Sequence, residues 1–158
     1  MQHLVFHRTL AALATSVLVS GCATEAISPL QARDVPKERH HSTPTVTSKN
    51  PARAVVVRDT GLYGSGLNVH FSINGERTAT FSTGERLAVT LDPGIYIFGV
   101  LQSVTLGSVQ EKNIETRLEP GATYYYRIMI EDQTGTSIQR YFPSAISTHA
   151  GQSPAAPD

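Results

Sequence analysis

The stretch 67–73, LNVHFSI, alternates apolar and polar residues without a break. Successive side chains of a strand point to opposite faces, so Leu67, Val69, Phe71 and Ile73 share one face and Asn68, His70 and Ser72 the other. This predicts a half-buried strand. Asn74-Gly75 follows at once and tolerates the positive φ angles of a type I′ turn, so 76–82 is expected to return as the partner strand, with Ala79 and Phe81 inward. The same alternation predicts strands at 85–91, with Leu87, Val89 and Leu91 inward, and at 122–130, with Tyr124, Tyr126, Ile128 and Ile130 on one face. The segment 95–102 is apolar on both faces and is expected to be a central strand. The segment 111–118 turns Ile114 and Leu118 inward, and 136–142 forms the last strand. The run 52–59, ARAVVVRD, is continuously apolar at its centre and reads as a buried strand. Asp92-Pro93-Gly94, Glu119-Pro120-Gly121 and Gln133-Thr134-Gly135 supply the turns. Seven to eight strands between residues 52 and 142 predict an all-β domain, an antiparallel β-sandwich.

The flanks lack this pattern. Residues 10–19 are mostly apolar and follow Arg8, a run too short for a spanning helix, which needs about 20 apolar residues. With the small residues Ser20 and Gly21 behind it, 1–21 reads as a signal peptide. Residues 22–51 carry Pro29, Pro36, Pro44 and Pro51 and no apolar periodicity, so they are expected to be a flexible linker. As a coil such a linker would reach on the order of 30 Å. Residues 143–158 are expected to be a disordered tail.

Composition removes several functions. Lys and Arg total 13 and are balanced by 13 Asp and Glu. Without a basic excess the chain is not expected to bind nucleic acid. A single cysteine rules out an intramolecular disulfide and a CxxC site. Ser65 sits in a Gly-rich stretch, GLYGSG, that has neither the spacing of a nucleophile elbow nor the Lys-Ser/Thr of a phosphate loop. His70 lies on a polar strand face with no carboxylate fixed near it by sequence. His40-His41 and Glu131-Asp132 lack a ligand framework and read as solvated pairs. Lys37 and Arg39 are free in sequence to touch lipid phosphates or peptidoglycan. No catalytic, cofactor-binding or metal residue is expected, and no small-molecule substrate. Tyr125 and Arg127 are the candidate binding surface, because Tyr and Arg are favoured at interface hot spots. For Tyr125 a core role stays equally open.

Val19-Ser20-Gly21-Cys22 resembles the lipobox of bacterial lipoproteins, a small-residue triplet ending in cysteine. The resemblance implies cleavage between Gly21 and Cys22, acylation of the Cys22 thiol and amine by chains such as palmitate, and attachment to a membrane through them. Ala23 stands where Asp would retain such a protein at the inner membrane, which implies the outer membrane, with its periplasmic face as the default. Residues 73–100, INGERTATFSTGERLAVTLDPGIYIFGV, and 118–128, LEPGATYYYRI, resemble small lipoprotein domains of the DUF2846 type, related in layout to PEGA and transthyretin-like (prealbumin-like) sandwiches. That likeness implies a non-enzymatic binding or structural module with a protein partner in the cell envelope. Two alternatives stay open: a lipoprotein component of a secretion or conjugation machine that docks an inner-membrane protein, and a cell-wall hydrolase.

Overall fold

The computed structural model describes residues 24–61, 64–103, 110–131 and 135–143. They form an all-β domain of two facing sheets. The strands are β1 (Arg33–Asp34), β2 (Ala52–Arg58), β3 (Val69–Ile73), β4 (Glu76–Phe81), β5 (Glu85–Leu91), β6 (Gly94–Gln102), β7 (Lys112–Leu118), β8 (Thr123–Glu131) and β9 (Gly135–Tyr141). One sheet runs β1-β5-β2-β8-β9 and the other β4-β3-β6-β7. The sequence pattern places eight of these strands, from β2 to β9. Gly21, Cys22 and residues 144–158 lie outside the described residues, so the expected cleavage site, acylation site and tail are not seen.

Alternation builds the core as expected. Val69, Phe71, Ala79, Phe81, Leu87, Leu91, Phe98, Tyr126 and Ile128 are all buried. Three aromatic rings join the two sheets edge to face: Phe71 to Phe98 at 5.4 Å and Phe98 to Tyr126 at 4.9 Å. Rings prefer this geometry because a positive edge meets a negative face. The Tyr126 hydroxyl, buried between the layers, is satisfied by Thr116 Oγ1 at 2.5 Å. Asn74 and Gly75 both have positive φ, 52° and 81°, as the type I′ turn requires.

Three expectations are corrected. The sandwich is not wholly antiparallel: β2 pairs parallel with β8, in register Val55 with Tyr125, and β1 pairs parallel with β5. The chain leaves β2, passes through β3–β7 and returns to β2's side running the same way, which a hairpin cannot do. Strand β3 begins at Val69, because Leu67 closes a turn on the Gly64 carbonyl. Strand β6 is interior to its sheet, as expected, and its Ile95 and Ile97 are 52% and 47% exposed. Its second apolar face meets solvent.

The largest correction concerns 24–51. This segment is not a free linker but a strap along the sandwich. Glu25 pairs with Thr60, β1 adds to the β5 edge, Lys37–Arg39 makes one 3-10 turn, and His40 bridges Ala79. Ala32 and Val35 are buried. Asp92 then accepts from the Thr47 and Ser48 amides, and the Gly121 amide donates to Asn50 O at 3.2 Å. The physical reason is that few apolar anchors suffice when proline has already restricted the unfolded chain. Polar clamps add to them. The strap also explains the continuous apolar run of β2. Ala52, Ala54 and Val56 face the main core, while Val55 and Val57 face outward beneath Ala32, Ile27 and Tyr125.

Candidate functional site

Strand alternation sends Thr123, Tyr125, Arg127 and Met129 of β8 to the outer face of the five-stranded sheet. The strap crosses that face and leaves a hollow on each side of Pro29. One, of about 350 Å³, is lined by Leu30, Asp34, Arg53, Arg86 and Tyr125 among others. The other, of about 380 Å³, is lined by Ile27, Arg127, Tyr141 and Phe142 among others. The two candidate surface residues therefore share a face but open to different hollows. Tyr141 links them: its ring packs edge-on to Tyr125 at 6.2 Å, and the Arg127 guanidinium lies 5.6 Å from its centroid.

Arg127 is not a free cation. Its Nε lies 3.2 and 3.1 Å from the two oxygens of Asp59, and Nη2 completes the fork on Oδ2. The Asp59 side chain is fully buried, so the pair is structural and its charge is cancelled. Tyr125 is half-buried and serves the small cluster of Val55, Val57 and Ala32 with one side of its ring. Its other side lines the first hollow. The Tyr141 hydroxyl is buried and has no hydrogen-bond partner among the described residues. Burial raises its pKa above the usual phenol value, so at neutral pH it remains a donor. Leu30 and Phe142, 70% and 81% exposed, rim the two hollows. An apolar rim around tyrosines suits contact with a protein chain.

His70 joins a different arrangement, on the outside of the four-stranded sheet. Its Nε2 lies 2.7 Å from Ser103 Oγ and its Nδ1 3.0 Å from Thr80 Oγ1. Thr80 Oγ1 in turn lies 2.8 Å from His41 Nε2, on the strap. A serine beside a histidine invites comparison with a nucleophile and its base. In a working triad, however, a carboxylate on the far ring nitrogen stabilises the imidazolium. Here that nitrogen meets a neutral hydroxyl. Burial, Arg77 and His41 all push the His70 pKa down, the opposite of what the charged intermediate needs. The chain of four side chains instead fastens the strap to the sheet.

Other candidates resolve singly. Ser65 is in an exposed turn, where its carbonyl accepts from Thr83 Oγ1 at 3.0 Å. His40 Nε2 lies 3.0 Å from Val35 O. Asp132 lies outside the described residues, so the Glu131-Asp132 pair is not seen. Among the described residues no three His, Cys, Asp or Glu side chains group as a metal site would. Arg39 is committed to the protein: it meets Glu85 Oε1 at 2.5 Å and Ser82 Oγ at 2.7 Å. Glu85 is buried, although its place beside a turn suggests a solvated carboxylate.

Sequence reasoning misses Arg58, Asp59, Glu85 and Tyr141. Arg58 is 2% exposed and points into one end of the sandwich. It donates to three carbonyls, Leu67 at 2.5 Å, Phe81 at 2.9 Å and Gly64 at 2.8 Å, and so builds the Gly-rich loop. The available signal is Val-Val-Val-Arg-Asp, a charged pair continuing a buried strand. Alternation alone would send Arg58 inward after Val56. No family model matches this chain, and no curated protein matches it.

Proposed function

We propose that this chain is a lipoprotein of the outer membrane whose sandwich is a non-enzymatic binding or structural module of the cell envelope. The observation that carries the reading is Val19-Ser20-Gly21-Cys22 at the end of a short apolar run behind Arg8. Each buried CH₂ contributes about 0.8 kcal/mol, so one acyl chain holds marginally and two or three hold stably. Among the described residues no helix is long and apolar enough to cross a membrane.

The domain is of the DUF2846 kind and transthyretin-like in layout. The sheets β5-β2-β8-β9 and β4-β3-β6-β7, each of four strands once the strap's β1 is set aside, support this. A binding role is supported by the two hollows beside Pro29, one lined by Tyr125 and the other by Tyr141. The Ser103–His70 contact, lacking a charged orienting group, supports a structural role over cell-wall hydrolysis. The same sandwich layout favours one second reading, a secretion-machine lipoprotein docking an inner-membrane protein.

Fractionation tests the anchor. The wild-type chain is expected with the outer membrane, and Cys22→Ala in the soluble fraction; a wild-type protein recovered fully soluble refutes the reading. A photo-crosslinking residue at position 125 in intact cells tests the role. A discrete envelope protein supports it, an inner-membrane machine subunit selects the second reading, and crosslinks to wall glycan alone count against both.

A further inference from the structure

The strap fixes where the sandwich sits against lipid. Residues 24–51 are used up in running along the domain, from Thr60 at one end to Asp92 and Gly121 at the other. They are not spacer. At the start of the strap, Thr24 Oγ1 donates to Ile130 O at 2.9 Å, and Glu25 exchanges backbone hydrogen bonds with Thr60 at 2.7 and 3.0 Å. Gly64 belongs to the same end, since a Cβ there would stand 2.7 Å from Ile130 Cδ1. Ser65 follows it and is exposed.

We propose that the acyl chains on Cys22 hold this end of the sandwich directly on the lipid headgroups, with the opposite turns pointing away. The inference rests on the lipoprotein reading. Its geometry is covalent: one residue, Ala23, separates Cys22 from Thr24, two steps of the chain that span at most about 7 Å. Thr24 therefore lies within headgroup reach for as long as the strap stays docked.

That end mixes hydroxyl groups with two exposed charges of opposite sign. The hydroxyls of Thr24, Thr60, Ser82, Thr83 and Ser103 are hydrogen-bonded within the domain, and Ser65 is exposed beside them. Arg58, Asp59 and Glu85 behind them are buried, while Glu25, paired with Thr60, and Arg33, beside Thr83, are exposed. One exposed carboxylate and one exposed guanidinium do not make a polybasic surface, so the acyl chains carry the attachment. Strand β8 has nine residues, so the turns at Asn74-Gly75, Pro93-Gly94 and Pro120-Gly121 stand about 30 Å from the headgroups. That far end is what the membrane-bound protein presents across the periplasm.

The chain contains no tryptophan, so a single introduced one reports its own depth. The acylated full chain is reconstituted into phosphatidylcholine vesicles bearing nitroxide on a fraction of the headgroups, as Ser65→Trp and, separately, Glu76→Trp at the far end. Fluorescence of the Ser65→Trp protein is expected to be quenched several-fold more than that of Glu76→Trp. A flexible Gly-Ser insert between Cys22 and Ala23 should abolish the difference while flotation with vesicles persists. Equal, weak quenching at both positions without the insert, or stronger quenching at position 76, overturns the orientation. Failure of the wild-type protein to float with vesicles overturns the lipoprotein reading itself and the orientation with it. The two failures are thereby distinguishable.

Discussion

Replacing Arg58 by Met should destabilise the domain by about 3 kcal/mol. The guanidinium is buried and donates to three main-chain oxygens, at 2.5, 2.9 and 2.8 Å. Each hydrogen bond from a charged donor contributes about 1.5–3 kcal/mol before the cost of burying the ion is counted. That cost is real, since burial lowers the Arg58 pKa to about 10, still charged at neutral pH. In the Met variant the stem is replaced at similar volume and the buried cation is gone. The Leu67 and Gly64 carbonyls border the loop, where water can reach them. The Phe81 carbonyl is fully enclosed and would lose its only charged donor, which costs about 1–3 kcal/mol by itself. Adding about 1 kcal/mol for each loop carbonyl, less the relief of the buried charge, leaves about 3 kcal/mol. Against a typical stability of about 5–15 kcal/mol the change is large. Urea unfolding of the Cys22→Ala chain should show it as a lower midpoint at an unchanged m-value, a shift of roughly 1–2 M. Arg58→Lys should fall between the two, because an ammonium cannot fork to three oxygens. Hydrogen exchange at the Leu67 amide should quicken in both variants. A Met variant within about 0.5 kcal/mol of wild type would refute the role of the cation.

Two further predictions concern the strap. Arg39→Ala leaves the buried Glu85 with the Ser82 amide and without its cation, which should cost about 1–3 kcal/mol. Amides of 33–41 should then exchange faster than those of the core strands, and uniform exchange across the domain would contradict a separable strap. Stability should also fall on acidification through the histidine range. The His70 pKa is depressed, so below the ordinary value of 6.5 the unfolded chain takes a proton that the folded one resists. The contribution is fully present above pH 6.5 and is lost as pH falls toward the lower folded value. His70→Asn should flatten that slope between pH 7.5 and 5, and an unchanged slope would assign it to other groups.

Legibility followed local physics. The inward residues of β4, β5 and β8 are read correctly because a period of two leaves one choice of face once a neighbouring face is apolar. The Asn74-Gly75 turn is equally legible, since few residue pairs accept its φ angles. The second apolar face of β6 is not covered: Ile95 and Ile97 remain exposed, and composition cannot say whether a second layer will cover a face. Tyr125 is placed on the correct face, but the loss of Arg127 to Asp59 depends on a contact across 68 positions of chain.

The all-β class, most strand positions, the tight turns and the identity of the core residues are written into the chain locally. These follow from side-chain alternation and backbone sterics within a few residues. Tertiary structure alone decided the parallel pairing of β2 with β8, the cover over Val55 and Val57, and the burial of Arg58, Asp59 and Glu85. Each needs partners distant in the chain. Residues 24–51 show the divide most plainly. Their own apolar content is too low to order them, and only the finished sandwich supplies the β5 edge, the Glu85 and Asp92 carboxylates and the Val55–Val57 surface that hold them down.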